Sequence, residues 1–149
     1  MTIEPLLNYA GLFRRAGALA LDFLLFCMVF FPATYFIKGV WLMSPQDHLW
    51  IIFDPICAVF LVIIFVYFIV FEARLGWTVG KWILKLRVVD MHGDPIAMKA
   101  SLIRNLGRLI DGIPLYLTGI VCILVTRKKQ RVGDMMAKTC VVVRQNRTT

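Results

Sequence analysis

Two apolar runs, Ala16–Ile37 and Trp50–Phe71, constrain this chain more than any other feature. As helices each would be about 33 Å long, enough to cross a hydrocarbon layer of about 30 Å. The hydrophobic share of 60% lies above the usual share for soluble domains. A chain of 149 residues built this way is expected to form one membrane domain, an all-α transmembrane helical bundle. The first run starts with Arg14 and Arg15, as a secretory signal would. Such a signal has an apolar region of only about 7–15 residues and a small-residue cleavage site. No Ala-x-Ala pattern follows Phe31, so an uncleaved anchor is expected.

The net charge of +8 is placed unevenly. Arg14 and Arg15 precede the first run, Lys38 lies between the runs, and the remaining Lys and Arg residues follow Glu72. Basic residues collect on the cytoplasmic side of a membrane. The expectation is therefore an inner (cytoplasmic) membrane protein of bacterial type with its N-terminus cytoplasmic. Its basic segments would face anionic lipid headgroups, and no nucleic acid is needed to explain them.

Against this apolar background, Asp22 stands out about 9 Å down the first helix from Ala16. An ionised acid at such depth costs around 3 kcal/mol and usually faces a bundle interior or a wet cavity. Arg15 and Asp22 are seven residues apart, and the spacing returns at Arg104 and Asp111. Seven residues put both groups on one helix face but about 10.5 Å apart, out of contact. Arg15 is expected to stay at the interface, with its side chain directed away from Asp22. Arg108 stands three residues before Asp111, an ion-pair spacing, and Arg131 and Asp134 form a similar pair expected in a surface turn.

Cap-and-proline signals occur at Ser44-Pro45-Gln46-Asp47 and at Asp54-Pro55, so a helix is expected to start at the first and the second span either starts at Pro55 or kinks there. Gly76 suits a left-handed helix end after Glu72-Ala73-Arg74. The stretch Gly76–Lys81 has three residues between its glycines and Trp82 where a phosphate loop needs Ser or Thr, which excludes nucleotide binding. Residues 84–90 alternate apolar and charged, and residues 139–144 carry the other run of strand formers. The two are expected to pair as a small cytoplasmic β-hairpin-like element. Residues 109–125, interrupted by Gly112, Pro114 and Gly119, then read as a broken or re-entrant third element, with a third full span as the alternative. Met98–Arg108 would be an amphipathic lead-in at the interface, with Lys99, Arg104 and Arg108 near its polar face.

Cys27, Cys57, Cys122 and Cys140 lack metal-ligand spacing, and His48 and His92 read as loop and turn residues. No cofactor or metal is expected. With serines only at Ser44 and Ser101, the chain offers no nucleophile–base arrangement, and no enzyme is expected.

Several pieces taken together resemble the RDD family of small integral membrane proteins, named for an arginine and two aspartates. They are Arg14-Arg15-x-x-Ala18-x-x-x-Asp22, Gly76-Trp77-Thr78-Val79-Gly80-Lys81 leading into Leu86-Arg87-Val88-Val89-Asp90, Arg104 with Asp111, and Gln130–Thr139 before the final valines. Lys138 departs from the family pattern, in which a glycine often precedes the threonine. The resemblance nominates Arg15, Asp22 and Asp111 as a functional trio. Some members are assigned as cation/proton antiporters, which implies transport.

Two functions are weighed. In the first, the chain is a membrane-embedded structural or accessory component whose acids are held by Arg104, Arg108 or arginines of another chain. In the second, Asp22 and Asp111 lie close enough to share charge and bind either a proton or a monovalent cation, as an exchanger requires. Either function is expected to need a homo-oligomer or a partner protein, and Ala16, Gly17, Ala18 and Ala20 allow close helix approach.

Overall fold

The computed structural model describes residues 8–39, 55–111, 117–126 and 128–144, with side chains for all of these except 38, 55, 109–111 and 117–119. The elements run α1 (Leu12–Lys38), α2 (Pro55–Arg74), α3 (Val79–Ile83), β1 (Leu86–Asp90), α4 (Met98–Asp111), α5 (Leu117–Val125), α6 (Val132–Met136) and β2 (Thr139–Val143). The fold is mostly helical, with two long apolar helices and one small antiparallel sheet.

Helices α1 and α2 are long and apolar enough to cross a membrane. Phe26 meets the Tyr67 ring edge-on at 5.1 Å and Phe30 lies 4.9 Å from Phe60, so the two helices run antiparallel. The start of α1 therefore lies beside the end of α2. Both leave large side chains uncovered, among them Phe23, Met28 and Phe36 on α1 and Val59, Leu61 and Val62 on α2. An apolar surface of this extent fits contact with hydrocarbon rather than water. The described part of α2 starts at Pro55. It ends where Gly76, at φ 78°, donates its N–H to the Glu72 carbonyl at 3.1 Å. Ser44–Asp47, His48 and Asp54 lie outside the described residues.

Strands β1 and β2 pair antiparallel, from Leu86 opposite Val143 to Asp90 opposite Thr139. The pairing is as expected, although α4, α5 and α6 connect the strands instead of a tight turn. A third strip joins them. Ala10 N–H donates to the Val141 carbonyl and Val143 N–H to the Asn8 carbonyl, both at 2.8 Å, so residues 8–10 add to the open edge of β2. Ala10, Ala18, Leu86, Val88, Ile96 and Val141 bury one another beneath this sheet.

The architecture repeats internally. Val79-Gly80-Lys81 opens α3 before β1, and Val132-Gly133-Asp134 opens α6 before β2. Lys85 and Lys138 stand directly before the strands with φ of 55° and 51°. That left-handed conformation strains a side-chain-bearing residue and suits glycine, which locates the departure seen at Lys138. Each short helix also rests on a longer one through its glycine. A Cβ added to Gly80 would lie 2.0 Å from the Ala18 carbonyl oxygen of α1, and one on Gly133 would lie 2.6 Å from the Arg104 carbonyl oxygen of α4. The small residue Ala18, expected to serve a helix of another chain, is thus covered by α3 of its own.

Helix α4 corrects the lead-in reading. Ser101, Arg104 and Asn105 are buried, whereas Met98, Leu102, Ile103 and Leu106 are exposed. Its polar face turns into the protein and its apolar face outward, the reverse of a helix lying on water. Lys99 stays exposed.

Candidate functional site

Glu72 occupies the last turn of α2 and is 0% exposed, a position that an acid tolerates only with partners. Lys81 of α3 donates to Oε1, joined by Arg108 Nη2 at 3.3 Å. Arg104 Nε reaches Oε2 at 3.2 Å, and Asn105 Nδ2 donates to the same oxygen at 3.2 Å. Helical spacing puts Ser101, Arg104, Asn105 and Arg108 on one face of α4, and that face is pressed against α2. Ser101 completes the contact by donating to the Ile69 carbonyl at 2.8 Å.

A second acid, Asp134 of α6, is equally enclosed. Arg15 Nη1 donates to Oδ2 at 2.8 Å, and Arg104 Nη2 lies 3.0 Å from Oδ1, a charge contact without hydrogen-bond alignment. The Arg131 N–H donates to Oδ2 at 3.3 Å, while its guanidinium Nε is 3.9 Å away. Burial would raise the Asp134 pKa, but the charges of Arg104, Arg131 and Arg15 outweigh it and hold this carboxyl well below the usual range. Burial has the opposite sense for a cation. It pushes Lys81 down to about 7 against the pull of Glu72, and Arg104 and Arg108 add to the depression.

Arg104 therefore touches both acids and joins two clusters into one network. Arg15, expected at the interface, is buried there and also donates Nε to the Ala10 carbonyl at 3.2 Å. Asp134, expected in a surface turn with Arg131, is 1% exposed and bound to an arginine from the other end of the chain. Both corrections have one cause: the sheet folds residues 8–10 and β2 together, so the start of α1 meets α6.

Asp22 has different company. Thr78 Oγ1 donates to one carboxyl oxygen at 2.6 Å and Gly80 N–H to the other at 2.7 Å, with the Tyr67 hydroxyl at 3.4 Å. The same hydroxyl accepts from Val79 N–H at 2.9 Å. Asp22 thus takes the otherwise unpaired Gly80 N–H at the start of α3, together with the Thr78 cap hydroxyl, and pins that helix to α1. Among the described residues its hydrogen-bond partners are hydroxyls and an amide, not the arginines expected beside it. Asp111 is the last described residue of α4 and its side chain lies outside the described set, as does the expected Arg108–Asp111 pairing. Arg108 sits 4.0 Å over the Phe68 ring while reaching Glu72.

Sequence reasoning passed over Glu72, Lys81 and Asn105. Glu72 was visible as the one acid in the α2 sequence, although an acid in a last helical turn also reads as an ordinary surface residue. Among the described residues no group of three or more His, Cys, Asp or Glu is placed to hold a metal, and the four cysteines are free. His92 is an exposed turn residue whose N–H donates to Asp90 Oδ1 at 2.8 Å.

Compared with known protein families, the chain matches the RDD family model over residues 9–138. Comparisons with curated proteins and with solved structures return no match.

Proposed function

Because the chain belongs to the RDD family, we propose that it is an integral membrane protein acting as a structural or accessory component, with its buried acids held by basic side chains. The observation that carries this reading is Arg104 in contact with both Glu72 and Asp134, which ties the end of α2 to α6 and, through Arg15, to the start of α1. Buried paired charges of this kind fix one arrangement of the elements, a use suited to a scaffold. Two full spans, α1 and α2, carry a cytoplasmic sheet in this reading.

The hydrogen bonds among residues 8–10, β1 and β2 support a topology in which α4, α5 and α6 start and finish on one side. This supports the re-entrant form over a third full span. In this reading the positive-inside bias puts the sheet on the cytoplasmic side of a bacterial inner membrane. A cysteine introduced after Arg144 is then labelled only from the cytoplasmic side, and labelling from outside alone would overturn this topology.

Purification from the native membrane tests the accessory role. A fixed partner protein or a defined homo-oligomer is expected, and a solitary monomer stable in lipid would argue against the role. The second reading, exchange of a monovalent cation for protons, draws on Asp22, which is 1% exposed on a candidate span and meets only neutral hydrogen-bonding groups among the described residues. Flux in proteoliposomes separates the two. Ion-dependent proton movement that disappears in Asp22→Asn and Asp111→Asn would establish exchange, and no movement with sodium, potassium or lithium would remove it for those ions.

A further inference from the structure

Helix α4 has its faces the wrong way round for a helix on a water surface. Ser101, Arg104 and Asn105 are buried against α2 and α6, whereas Met98, Leu102, Ile103 and Leu106 are each 40–45% exposed. A surface helix of a water-soluble protein turns its apolar stripe to the core. Single uncovered apolar residues are ordinary, but a whole uncovered face marks a contact surface.

The contacts of α4 with α2 set its level. Ser101 donates to the Ile69 carbonyl, Asn105 to Glu72, and Arg108 lies over Phe68 while reaching Glu72. From Ser101 to Arg108, α4 rises about 10.5 Å, yet it meets a stretch of α2, Phe68 to Glu72, that rises only about 6 Å, so α4 lies across α2. That stretch stops two residues short of Arg74, the exposed end of α2. Helix α3 sits at a matching level on α1. Its Gly80 rests on Ala18, about one turn inward from the exposed Arg14. It leaves Trp82 and Ile83 uncovered.

Arg14 and Arg74 therefore mark the charged ends of the two candidate spans, and the uncovered residues of α3 and α4 lie inward of them. They share the depth of Leu19 on α1 and Val70 on α2, which are uncovered too. Exposed charge collects elsewhere, with Lys85, Arg87, Lys138 and Arg144 in or beside the strands. Lys99 is the exposed cation of α4, and its long stem lets the ammonium group reach headgroups while the helix lies below them.

We infer that α4 is embedded in the leaflet where α1 begins and α2 ends, with its outer face against lipid acyl chains and Trp82 and Ile83 of α3 at the same depth. The occupant of this face is lipid, because the face continues the level of the uncovered sides of α1 and α2. The inference rests on reading α1 and α2 as spans, and it holds for a scaffold and for an exchanger alike.

The test uses the full chain in dioleoylphosphatidylcholine nanodiscs, with p-acetylphenylalanine at one position at a time. A hydroxylamine nitroxide couples to it and leaves the free cysteines untouched. Power saturation by oxygen, which concentrates among acyl chains, and by a water-soluble nickel chelate reads the depth of each label. Labels at Leu102 and Leu106 are expected about 5–10 Å below the headgroup boundary, open to oxygen and closed to nickel. A label at Val62, near the middle of α2, is expected deeper, and one at Arg87 in water. Ile103, on the same face, replaces either α4 position if a label there disturbs thermal unfolding. Labels at Leu102 and Leu106 as open to nickel as the one at Arg87, with Val62 still deep, would overturn the leaflet placement and leave the spans standing. Closure of both to oxygen and nickel alike would show a protein chain covering the face and overturn the lipid assignment. A Val62 label open to nickel would overturn the span reading, and the placement of α4 with it.

Discussion

Replacing Arg104 with methionine removes the charge that touches both buried acids and keeps much of the side-chain volume. Each of its contacts, at 3.2 Å to Glu72 and 3.0 Å to Asp134, corresponds to about 5 kcal/mol at an effective dielectric constant near 20. Most of that gain is offset by the several kcal/mol needed to desolvate the guanidinium. Repulsion from the neighbouring cations subtracts more. Neither acid is stranded by the change, since Glu72 keeps Lys81 and Arg108, and Asp134 keeps Arg15 and Arg131. The expected loss is thus about 3 kcal/mol, the low end of the range for breaking a buried pair. In a chain of this size that lowers Tm by about 6–12 °C. Thiol-reactive dye labelling in detergent gives the assay, because Cys140 is 0% exposed and becomes accessible when the sheet opens. A Tm within about 2 °C of wild type would refute the reasoning, because it would mean the network contributes little to holding the elements together.

Four further outcomes follow from the same geometry. Glu72→Gln leaves Lys81 and Arg108 without the acid they share, beside an Arg104 that keeps only Asp134, and should cost about 4 kcal/mol, more than Arg104→Met; a smaller loss in urea unfolding would contradict it. Gly80→Ala drives a methyl group toward the Ala18 carbonyl and the Asp22 carboxyl, and a loss of about 3 kcal/mol is expected from the same unfolding assay, with no change counting against the close packing of α3 on α1. Lys81 has a folded pKa of about 7, below its unfolded value of 10.5, so the unfolded chain binds the extra proton between those values. Its contribution to stability therefore rises with pH across that window, and Lys81→Met should flatten the measured slope of Tm against pH; an unchanged slope would assign the titration elsewhere. Lys138→Gly relieves the left-handed strain before β2 and should stabilise by about 1 kcal/mol, checked by the same thermal unfolding, with destabilisation counting against the strain argument.

Periodicity was a good guide to what single segments do and a poor one to which segments meet. The lengths of the two apolar runs marked α1 and α2, and the alternation at Leu86–Asp90 with the valines at 141–143 marked the strands that pair. The Arg15–Asp22 spacing correctly kept those two side chains apart, because helical rise is a local property. Their partners were not local. Asp22 found Thr78 and Gly80 only because the Gly76 turn returns the chain onto α1, and Arg15 found Asp134 across 119 residues only because residues 8–10 join β2. Helix α4 shows a second kind of blindness. Its amphipathic pattern was plain, but the pattern does not say which face turns inward, and here the polar face packs against α2 and α6. Lys81 stayed hidden because its loop was tested only against nucleotide binding.

A double-mutant cycle on Arg15 and Asp134, the contact linking the start of α1 to α6, tests the central claim most directly. Arg15→Met, Asp134→Asn and the combined variant are unfolded in the same detergent at neutral pH. A buried 2.8 Å pair predicts a coupling of at least about 2 kcal/mol, with the combined variant losing clearly less than the two single losses together. Losses that add to within about 0.5 kcal/mol would mean the two residues act independently, and the network would not be what joins the apolar helices to the sheet.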